Sequence, residues 1–274
     1  MVKEAIREKL SNIVGLPDEE VNLAESALLL AEEDYPQLSI SYYLQFLDDA
    51  AKSVSRALGA IRDPYSVVNV MKGVMYDQLG FIGNKKEYYD PLNSFLNQVI
   101  DRRKGIPITL ALIYMEIAWR ADLEMQGVGF PGHFIVQFGS GNDMVFIDPF
   151  AEGLILIEED LEDLLFKVFG KRVKMDKQFL NPVTKNQILT RILYNLKGIY
   201  VQNDETEKAI SVIDRIILLN PGAVSEYRDR GLMHFQMSNF DQAITDLSLY
   251  LSKAPDAEDA SEIRSYIEML GRKE

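Results

Sequence analysis

The chain of 274 residues contains no cysteine, one tryptophan and two histidines. Without cysteine it can form no disulfide, offer no thiolate nucleophile and hold no metal through cysteine ligands. Two histidines are too few for a zinc site, which needs several convergent ligands, so we expect no bound metal. The sequence also lacks a phosphate-binding glycine motif, and we expect no cofactor.

Long apolar runs and clustered positive charge are also scarce. The longest apolar stretch, from Ile106 to Trp119, is interrupted by Glu116 and is too short to span a bilayer. The amino-terminal residues are charged and lack the apolar core of a signal peptide. A net charge of −13 opposes nonspecific binding to nucleic acid and anionic lipid. We therefore expect a cytoplasmic protein without such partners, in which the dibasic Arg102-Arg103 pairs with carboxylates at a helix end.

The amino-terminal part of the chain has helical periodicity. Apolar residues recur at helix spacing up to about Ala60, and Pro17 and Pro36 mark breaks. Another helix is predicted from Pro64 to Leu79. The glycine-rich stretch 80–84 then ends helical order, because glycine supplies unusual backbone angles.

A buried central helix is predicted after a polar loop. Pro107 suits the first helical turn, where its missing N–H costs nothing, and the residues from Ile108 to Trp119 are apolar on nearly every side. The N–H groups at the start of such a helix favour a negative charge nearby. In the preceding loop, Asn93 or Ser94 is predicted to cap the short helix before it, and Asn93 has the alternative of bracing the loop.

Two strands, 134–138 and 144–147, are predicted to form a hairpin around a glycine-rich turn. If the turn is centred between Ser140 and Gly141, the predicted pairs are Phe138 with Asp143, Val136 with Val145, and His133 with Asp148. Directly opposed residues have Cβ atoms about 4.5–5.5 Å apart, which permits a hydrogen bond between His133 and Asp148. The chain then predicts a strand at 155–157, a helix with an acidic start at 158–169, and a connection to Pro182.

From about Thr184 the sequence repeats with a period of 34 residues. The positions that match across this offset are Leu193 with Tyr227, Tyr200 with His234, Ala209 with Ala243, Ile213 with Leu247, and Pro221 with Pro255. Small residues at helix crossings and a proline after the second helix are typical of tetratricopeptide repeats. The sequence predicts two repeats plus a final helix from about Ala257 to Leu270, with His234 in the repeat core. We expect this region to bind a protein or peptide.

Several motifs resemble those of known families. The segment Gly105 to Ala111, followed by His133 and Asp148, is similar to the transglutaminase-like superfamily, whose papain-like core carries a cysteine, a histidine and an aspartate. The resemblance implies that His133 is the base, Asp148 the orienting acid, and Pro107 the residue in the cysteine's place. A prolyl side chain cannot act as a nucleophile.

A closer resemblance covers nearly the whole chain. Its motifs are Tyr89-Asp90-Pro91 with Asn93-Ser94, Arg103-Lys104-Gly105-Ile106-Pro107-Ile108, Phe130-Pro131-Gly132-His133-Phe134, and Asp148-Pro149-Phe150. Together with the terminal repeats they resemble the SirB-type bacterial family, which combines a transglutaminase-like domain with tetratricopeptide repeats. That family shares the Gly-Ile-Pro-Ile segment, so the missing cysteine is typical of it, and its activity is not established.

The fold class implied is α+β and mostly helical. A papain-like or transglutaminase-like core with a small antiparallel sheet at 1–182 precedes an all-α repeat region at 183–274. Three functions stay open. The first is a non-catalytic binding or regulatory protein whose groove includes Asn93, Ser94, Arg103, Gly105 and Pro107 beside the His133–Asp148 pair. The second is a hydrolase or acyltransferase in which His133 activates Thr109, Ser94 or water. In the third, His133 and Asp148 only brace the core, and the repeats carry the function.

Overall fold

A computed structural model describes residues 2–271. Over these residues the chain forms twelve α-helices: α1 Val2–Val14, α2 Leu23–Glu32, α3 Ile40–Leu58, α4 Pro64–Lys72, α5 Leu96–Arg102, α6 Pro107–Arg120, α7 Glu158–Phe169, α8 Lys185–Gln202, α9 Thr206–Leu219, α10 Val224–Gln236, α11 Phe240–Lys253 and α12 Ala260–Gly271. The helices predicted up to Leu79 are confirmed, with breaks at both prolines. The last of them continues from α4 as a π-helix, Gly73–Gln78.

The strands form two small sheets. They are β1 Ile82–Gly83, β2 Lys104–Gly105, β3 Met125–Val128, β4 Ile135–Phe138, β5 Val145–Asp148 and β6 Leu154–Leu156. Strands β1 and β2 pair in parallel, and the other four form an antiparallel sheet in the order β3-β4-β5-β6. The predicted strand near residue 155 and the predicted helix 158–169 are confirmed. Strand β3 was not predicted from the sequence.

The predicted central helix is confirmed as α6. It begins at Pro107, and all residues from there to Ala118 are buried, including Glu116. Glu116 is accommodated because its Oε1 atom accepts the N–H of Ala24 at 2.8 Å and its Oε2 atom pairs with Arg120. A buried carboxylate is tolerated only when it has such partners. Helices α2 and α3 and strands β3 and β4 pack against α6, which is therefore central to this part of the fold.

The predicted hairpin register is wrong by two residues. Phe138 pairs with Val145, and Val136 pairs with Ile147. The connection is longer than the predicted turn because residues 141–143 form a 3₁₀-helix. Gly139, with φ of +90°, permits the tight start of this connection, since a Cβ there would lie 2.5 Å from the carbonyl oxygen of Asp143. A shift by two residues keeps every side chain on its original face of the sheet.

By its internal contacts the chain divides into two units. The first comprises Gly15–Ile192 with the residues before Arg7, and the second comprises Arg7–Val14 with the chain from Leu193 onward. The division falls within α8. The domain boundary between residues 182 and 183 stays a prediction.

Within the second unit, α10 packs against α9 and α11, and small residues lie at these helices' buried positions. Ala209 and Ala243 are fully buried, and a Cβ on Gly231 would lie 2.8 Å from the Cγ atom of Leu247. His234 was predicted to lie in the repeat core, but it is only partly buried. It lines a polar cavity of about 440 Å³ that also contains Arg230. The cavity is polar because Arg230 pairs there with two aspartates.

Candidate functional site

His133 and Asp148 meet at one end of the four-stranded sheet. The Nε2 atom of His133 lies 2.8 Å from the Oδ2 atom of Asp148. Asp148 ends β5, and His133 follows a turn closed by its own N–H bonding the Phe130 carbonyl at 3.0 Å. Gly132 occupies the left-handed region in this turn, with φ of +64°. The turn, and not the predicted pairing of strand residues, brings the histidine to the aspartate.

The second carboxylate oxygen of Asp148 is also occupied. Its Oδ1 atom accepts the N–H groups of Phe150 at 2.9 Å and Ala151 at 3.2 Å, which caps the 3₁₀-helix Pro149–Ala151. A second contact also holds this turn, because the Tyr76 hydroxyl donates to the Pro149 carbonyl at 2.9 Å. Tyr76 lies in the π-helix, and its pKa is raised by burial and by the neighbouring Tyr114 and Asp148.

The pair has the arrangement of a general base. A carboxylate can only accept hydrogen bonds, so Nε2 of His133 donates, and in the neutral form of the imidazole Nδ1 is left as the acceptor. The His133 side chain is 11% exposed and that of Asp148 is 7% exposed. The ring of His133 stacks edge-on against Phe150, with ring centroids 6.1 Å apart. Such a pair can orient an imidazole to accept a proton from a hydroxyl, a thiol or water.

The residues at the start of α6 offer no free nucleophile. Pro107 is buried. The Thr109 hydroxyl oxygen lies 2.8 Å from the Asn93 carbonyl and 3.1 Å from the Ile106 N–H, so it is bound on both sides. The Ser94 hydroxyl is buried and has no hydrogen-bond partner among residues 2–271. Of the two hydroxyls predicted as nucleophiles, that of Thr109 is thus engaged in hydrogen bonds to the backbone, whereas that of Ser94 is not.

The predicted capping role of Asn93 and Ser94 is wrong, because the residue before α5 is Phe95 and no side chain caps it. Asn93 instead braces the loop that precedes it. Its Nδ2 atom donates to the Glu87 carbonyl at 2.7 Å, and its Oδ1 atom accepts from Asn84 at 3.0 Å. With 0% exposure, the Asn93 side chain is a part of the core of this loop.

Arg103 and Gly105 hold the segment before α6 in place. Arg103 adopts a left-handed conformation at the end of α5, and its guanidinium lies 4.3 Å from the ring centre of Phe46. Burial lowers the pKa of Arg103. Gly105 pairs with Gly83, and a Cβ on Gly105 would lie 2.8 Å from the Thr109 hydroxyl. Among the described residues, no hydrogen bond or ion pair joins Arg103 or Asn93 to the His133–Asp148 pair. Arg102 forms the predicted helix-end ion pair, with Asp90 at 2.7 Å.

Two residues that support the site were not predicted. Arg191 donates to the His133 carbonyl at 2.6 Å, across 58 positions of sequence, and burial lowers its pKa. Phe150 contacts Gly83 so closely that a Cβ there would lie 2.7 Å from the Phe150 carbonyl oxygen. Because Gly83 pairs with Gly105, these contacts link the segment before α6 to the turn after β5. No local motif predicts the contact of Arg191 with His133. The glycine-rich stretch 80–84, in contrast, indicates that another part of the backbone comes close, as Phe150 does to Gly83.

Within residues 2–271, no group of three histidine or carboxylate side chains is arranged to hold a metal ion. Over the same residues, none of the helices is both long enough and apolar enough to cross a bilayer.

The second unit contains another concave surface besides the polar cavity at His234. It is a groove of about 630 Å³ between α8 and α10. Residues at helix spacing line it, with Tyr194, Lys197, Gly198 and Val201 on α8 and Asp229, Leu232, Met233 and Gln236 on α10. We call this surface the repeat groove. Lys197 lies 2.6 Å from Glu226 and 2.7 Å from Asp229, so its charge is neutralised from within the unit.

Comparison with known proteins agrees with this architecture. The profile of the Transglutaminase-like superfamily matches residues 41–194, and a tetratricopeptide repeat profile matches residues 196–268. The chain belongs to the transglutaminase-like superfamily, with tetratricopeptide repeats after that domain. The two domains together support a protein-interaction module.

Its relatives include bacterial proteins of the same organisation. A UPF0162 protein of Xylella fastidiosa strain Temecula1 is 33% identical over 270 residues, which cover 97% of this chain and 96% of the relative. A UPF0162 protein of Vibrio cholerae is 26% identical over 262 residues, which cover 94% of this chain and 97% of that relative. These relatives confirm the resemblance to the SirB-type family. F-box only protein 21 of Homo sapiens is 37% identical over 138 residues, which cover 47% of this chain and 21% of that protein.

Proposed function

We propose that the chain is a non-catalytic transglutaminase-like protein that binds a protein or peptide through its repeat region. The observation that carries the non-catalytic part is the residue at the nucleophile position. Pro107 stands where the resemblance places the superfamily's cysteine, and the chain has no cysteine elsewhere. The nearest hydroxyl along α6, that of Thr109, is bound to the backbone on both sides. A side chain that must first break two buried hydrogen bonds is a poor nucleophile.

The repeat groove is the candidate binding surface. Its volume lies within the range of about 300–1,000 Å³ that is typical of ligand sites. Tyr194 and Val201 are 40% and 46% exposed on one wall, and Leu232 and Met233 lie on the other. Apolar walls with a neutralised lysine between them fit a peptide whose apolar side chains enter the groove.

Val201→Asp tests the repeat groove. This substitution places a charge on an exposed groove wall, where it opposes the burial of an apolar ligand side chain. We expect the full-length variant to lose the partner that the wild-type protein captures from a bacterial lysate, as identified by mass spectrometry. Leu249→Asp is the matched control, because Leu249 is also exposed, at 37%, but lies outside the groove. Equal loss in both variants, or in neither, contradicts this site.

The absence of catalysis is tested separately. We expect purified protein to show no turnover in transamidation of a labelled amine onto a glutamine-containing protein, or in hydrolysis of an activated ester. Turnover that disappears in His133→Ala while the melting temperature is retained would contradict the proposal.

Hydrolysis or acyl transfer through His133 is the second candidate. It is favoured by one observation: Nε2 of His133 is held by Asp148 at 2.8 Å, which leaves Nδ1 to activate a hydroxyl or a water molecule. In this case ester hydrolysis would fall with His133→Ala and with Asp148→Asn, and would be retained in Thr109→Val if water is the nucleophile. Loss in Thr109→Val as well would assign the nucleophile to the threonine.

A further inference from the structure

A basic and aromatic surface follows the helix beside His133. It consists of the end of α7 and the extended segment after it, from Phe166 to Lys177. Its exposed aromatic and basic members are Phe166, Lys167, Phe169, Lys171, Arg172, Lys174 and Lys177, and Val168 and Asp176 are exposed beside them. We call these residues the α7 basic surface.

The charge of this surface is opposite to that of the rest of the protein. Residues 166–177 contain five basic residues and one acidic residue, a net charge of +4. The other 262 residues contain 24 basic and 41 acidic residues, a net charge of −17. At physiological ionic strength charges interact over a Debye length of about 8 Å, so a local cluster acts on what touches it, whatever the net charge of the molecule.

The fold holds this surface in a defined place. Val173 and Met175 point inward and pack on the core cluster that includes Leu165. Because residues alternate in an extended segment, Arg172 and Lys174 point outward. Phe166 and Phe169 are 49% and 46% exposed on α7. The packing of Val173 and Met175 therefore fixes Arg172 and Lys174 next to the end of α7, which carries Phe166 and Phe169.

Internal pairing does not account for these charges. In the described chain, none of the five basic side chains forms an ion pair. Lys167 lies in the last turn of α7 and is explained by the helix dipole, which favours a cation there. Arg172, Lys174 and Lys177 lie beyond the helix, where the dipole effect has ended.

We propose that the α7 basic surface docks an acidic peptide segment of a partner protein that also carries apolar side chains. The unpaired basic groups attract its carboxylates, and Phe166 and Phe169 receive its apolar side chains. The surface adjoins the turn that holds His133, because a Cβ on Gly132 would lie 2.3 Å from the Cγ2 atom of Val168. A segment bound here lies next to the turn that precedes His133.

A short peptide fits this surface better than an extended polyanion. A bilayer or a long nucleic acid would also face the acidic surface around the cluster, and like charges in close contact repel. Phe166 and Phe169 are spaced i and i+3 on the last turn of α7. Glu162 and Asp163, one turn earlier, would repel an acidic segment, so the segment contacts only this end of the helix. This docking surface is independent of the repeat groove and does not rest on the proposed function.

The test uses the full-length protein and a short fluorescein-labelled peptide of alternating glutamate and leucine, followed by fluorescence anisotropy. We expect saturable binding that weakens with added salt. Lys171→Glu/Lys174→Glu should weaken it by about tenfold or more, because each substitution turns an attraction into a repulsion. Lys85→Glu/Lys86→Glu is the matched control, since it makes the same charge change at two exposed lysines elsewhere and should alter binding by about twofold at most.

Further variants and probes distinguish this surface from another binding site and a peptide from another class of ligand. Phe166→Ser/Phe169→Ser should also weaken binding, and it keeps the test valid if the charge variant fails to fold. A peptide of alternating glutamate and serine should bind more weakly than the leucine peptide.

The proposal is overturned if binding is not saturable, or if both charge variants weaken it equally. Loss of binding in Val201→Asp but not in Lys171→Glu/Lys174→Glu would place the peptide in the repeat groove. Tighter binding to phosphatidylserine vesicles or to single-stranded polyuridine would assign the surface to lipid or to nucleic acid.

Discussion

Asp148 binds His133 through one carboxylate oxygen and the backbone of the following turn through the other. The aspartate therefore orients the imidazole and also fixes the position of Phe150, against whose ring the imidazole rests. Orientation of the histidine and folding of the turn depend on the same side chain.

Asp148→Ala should destabilise the protein more than His133→Ala. The first substitution removes the acceptor for three donors, and the second removes only one of them. We expect a loss of about 2–4 kcal/mol for Asp148→Ala and about 1–2 kcal/mol for His133→Ala in urea unfolding. Asp143→Ala, at an exposed position in the preceding connection, should change stability by about 0.5 kcal/mol or less. A larger loss in His133→Ala than in Asp148→Ala would contradict the two roles assigned to the carboxylate.

Thr109→Val should destabilise the start of α6. The substitution preserves the shape of the side chain but leaves the Asn93 carbonyl and the Ile106 N–H without their partner in a buried environment. The expected cost is about 1–3 kcal/mol in equilibrium unfolding. Thr245→Val is the control, because the hydroxyl of Thr245 bonds a carbonyl on an exposed helix surface and its loss should cost about 0.5 kcal/mol or less. If both substitutions cost the same, the hydroxyl of Thr109 is not a structural element.

Two helical glycines in the repeat unit should respond to alanine with opposite signs. Gly198→Ala meets nothing within 4 Å and should stabilise α8 by about 0.5–1 kcal/mol, the usual preference of a helix for alanine. Gly231→Ala places its Cβ 2.8 Å from the Cγ atom of buried Leu247 and should destabilise the protein by about 1–3 kcal/mol. Thermal unfolding of the two variants measures both effects. Stabilisation by Gly231→Ala would contradict the close crossing of α10 and α11.

The stability of the protein should fall as the pH drops through about 6.5 because of His234. Burial lowers the pKa of His234, and the nearby Arg230 adds to this effect, whereas Asp246 and Asp214 oppose it. The pKa in the folded state is thus below that in the unfolded state. The unfolded chain takes up the proton first on acidification, so this contribution is present above the unfolded pKa and is lost as the pH falls through the folded pKa.

His234→Gln should therefore flatten the dependence of the melting temperature on pH between about 7.5 and 5.5. The chain has only one other histidine, so His133→Gln is the natural comparison. A slope that disappears in His133→Gln and persists in His234→Gln would reverse this assignment.

Much of the fold followed from local patterns. The break before Pro107 and the apolar run after it predict α6, and the acidic start and following Gly170 place α7 within residues 158–169. These signals are strong because a helix end needs particular residues and a buried helix needs apolar ones on every side. Strand β3, with the sequence Met-Gln-Gly-Val, gives no comparable signal, because it is short and contains a glycine.

The site was harder to predict than the elements that carry it. The hairpin register was placed two residues out because a 3₁₀-helix in the connection leaves no motif as clear as a two-residue turn. The contact between His133 and Asp148 was expected from the sequence, but the turn at Gly132 makes it and not the predicted strand pairing, because His133 lies before β4 begins at Ile135. Arg191 could not be predicted, because its partner is a backbone carbonyl 58 positions away and any residue supplies a carbonyl.

The position of the site depends on the number of residues in the π-helix from Gly73 to Gln78. A π-helix contains one residue more than the α-helix that would span the same ends, and here that extra residue helps to set the direction of Tyr76 towards the Pro149 carbonyl. Deletion of a single residue from this segment would regularise the helix and turn Tyr76 away by about 100°, the angle between neighbouring positions of an α-helix. The turn that carries Asp148 would then lose its hydrogen bond from Tyr76 although none of its own residues had changed.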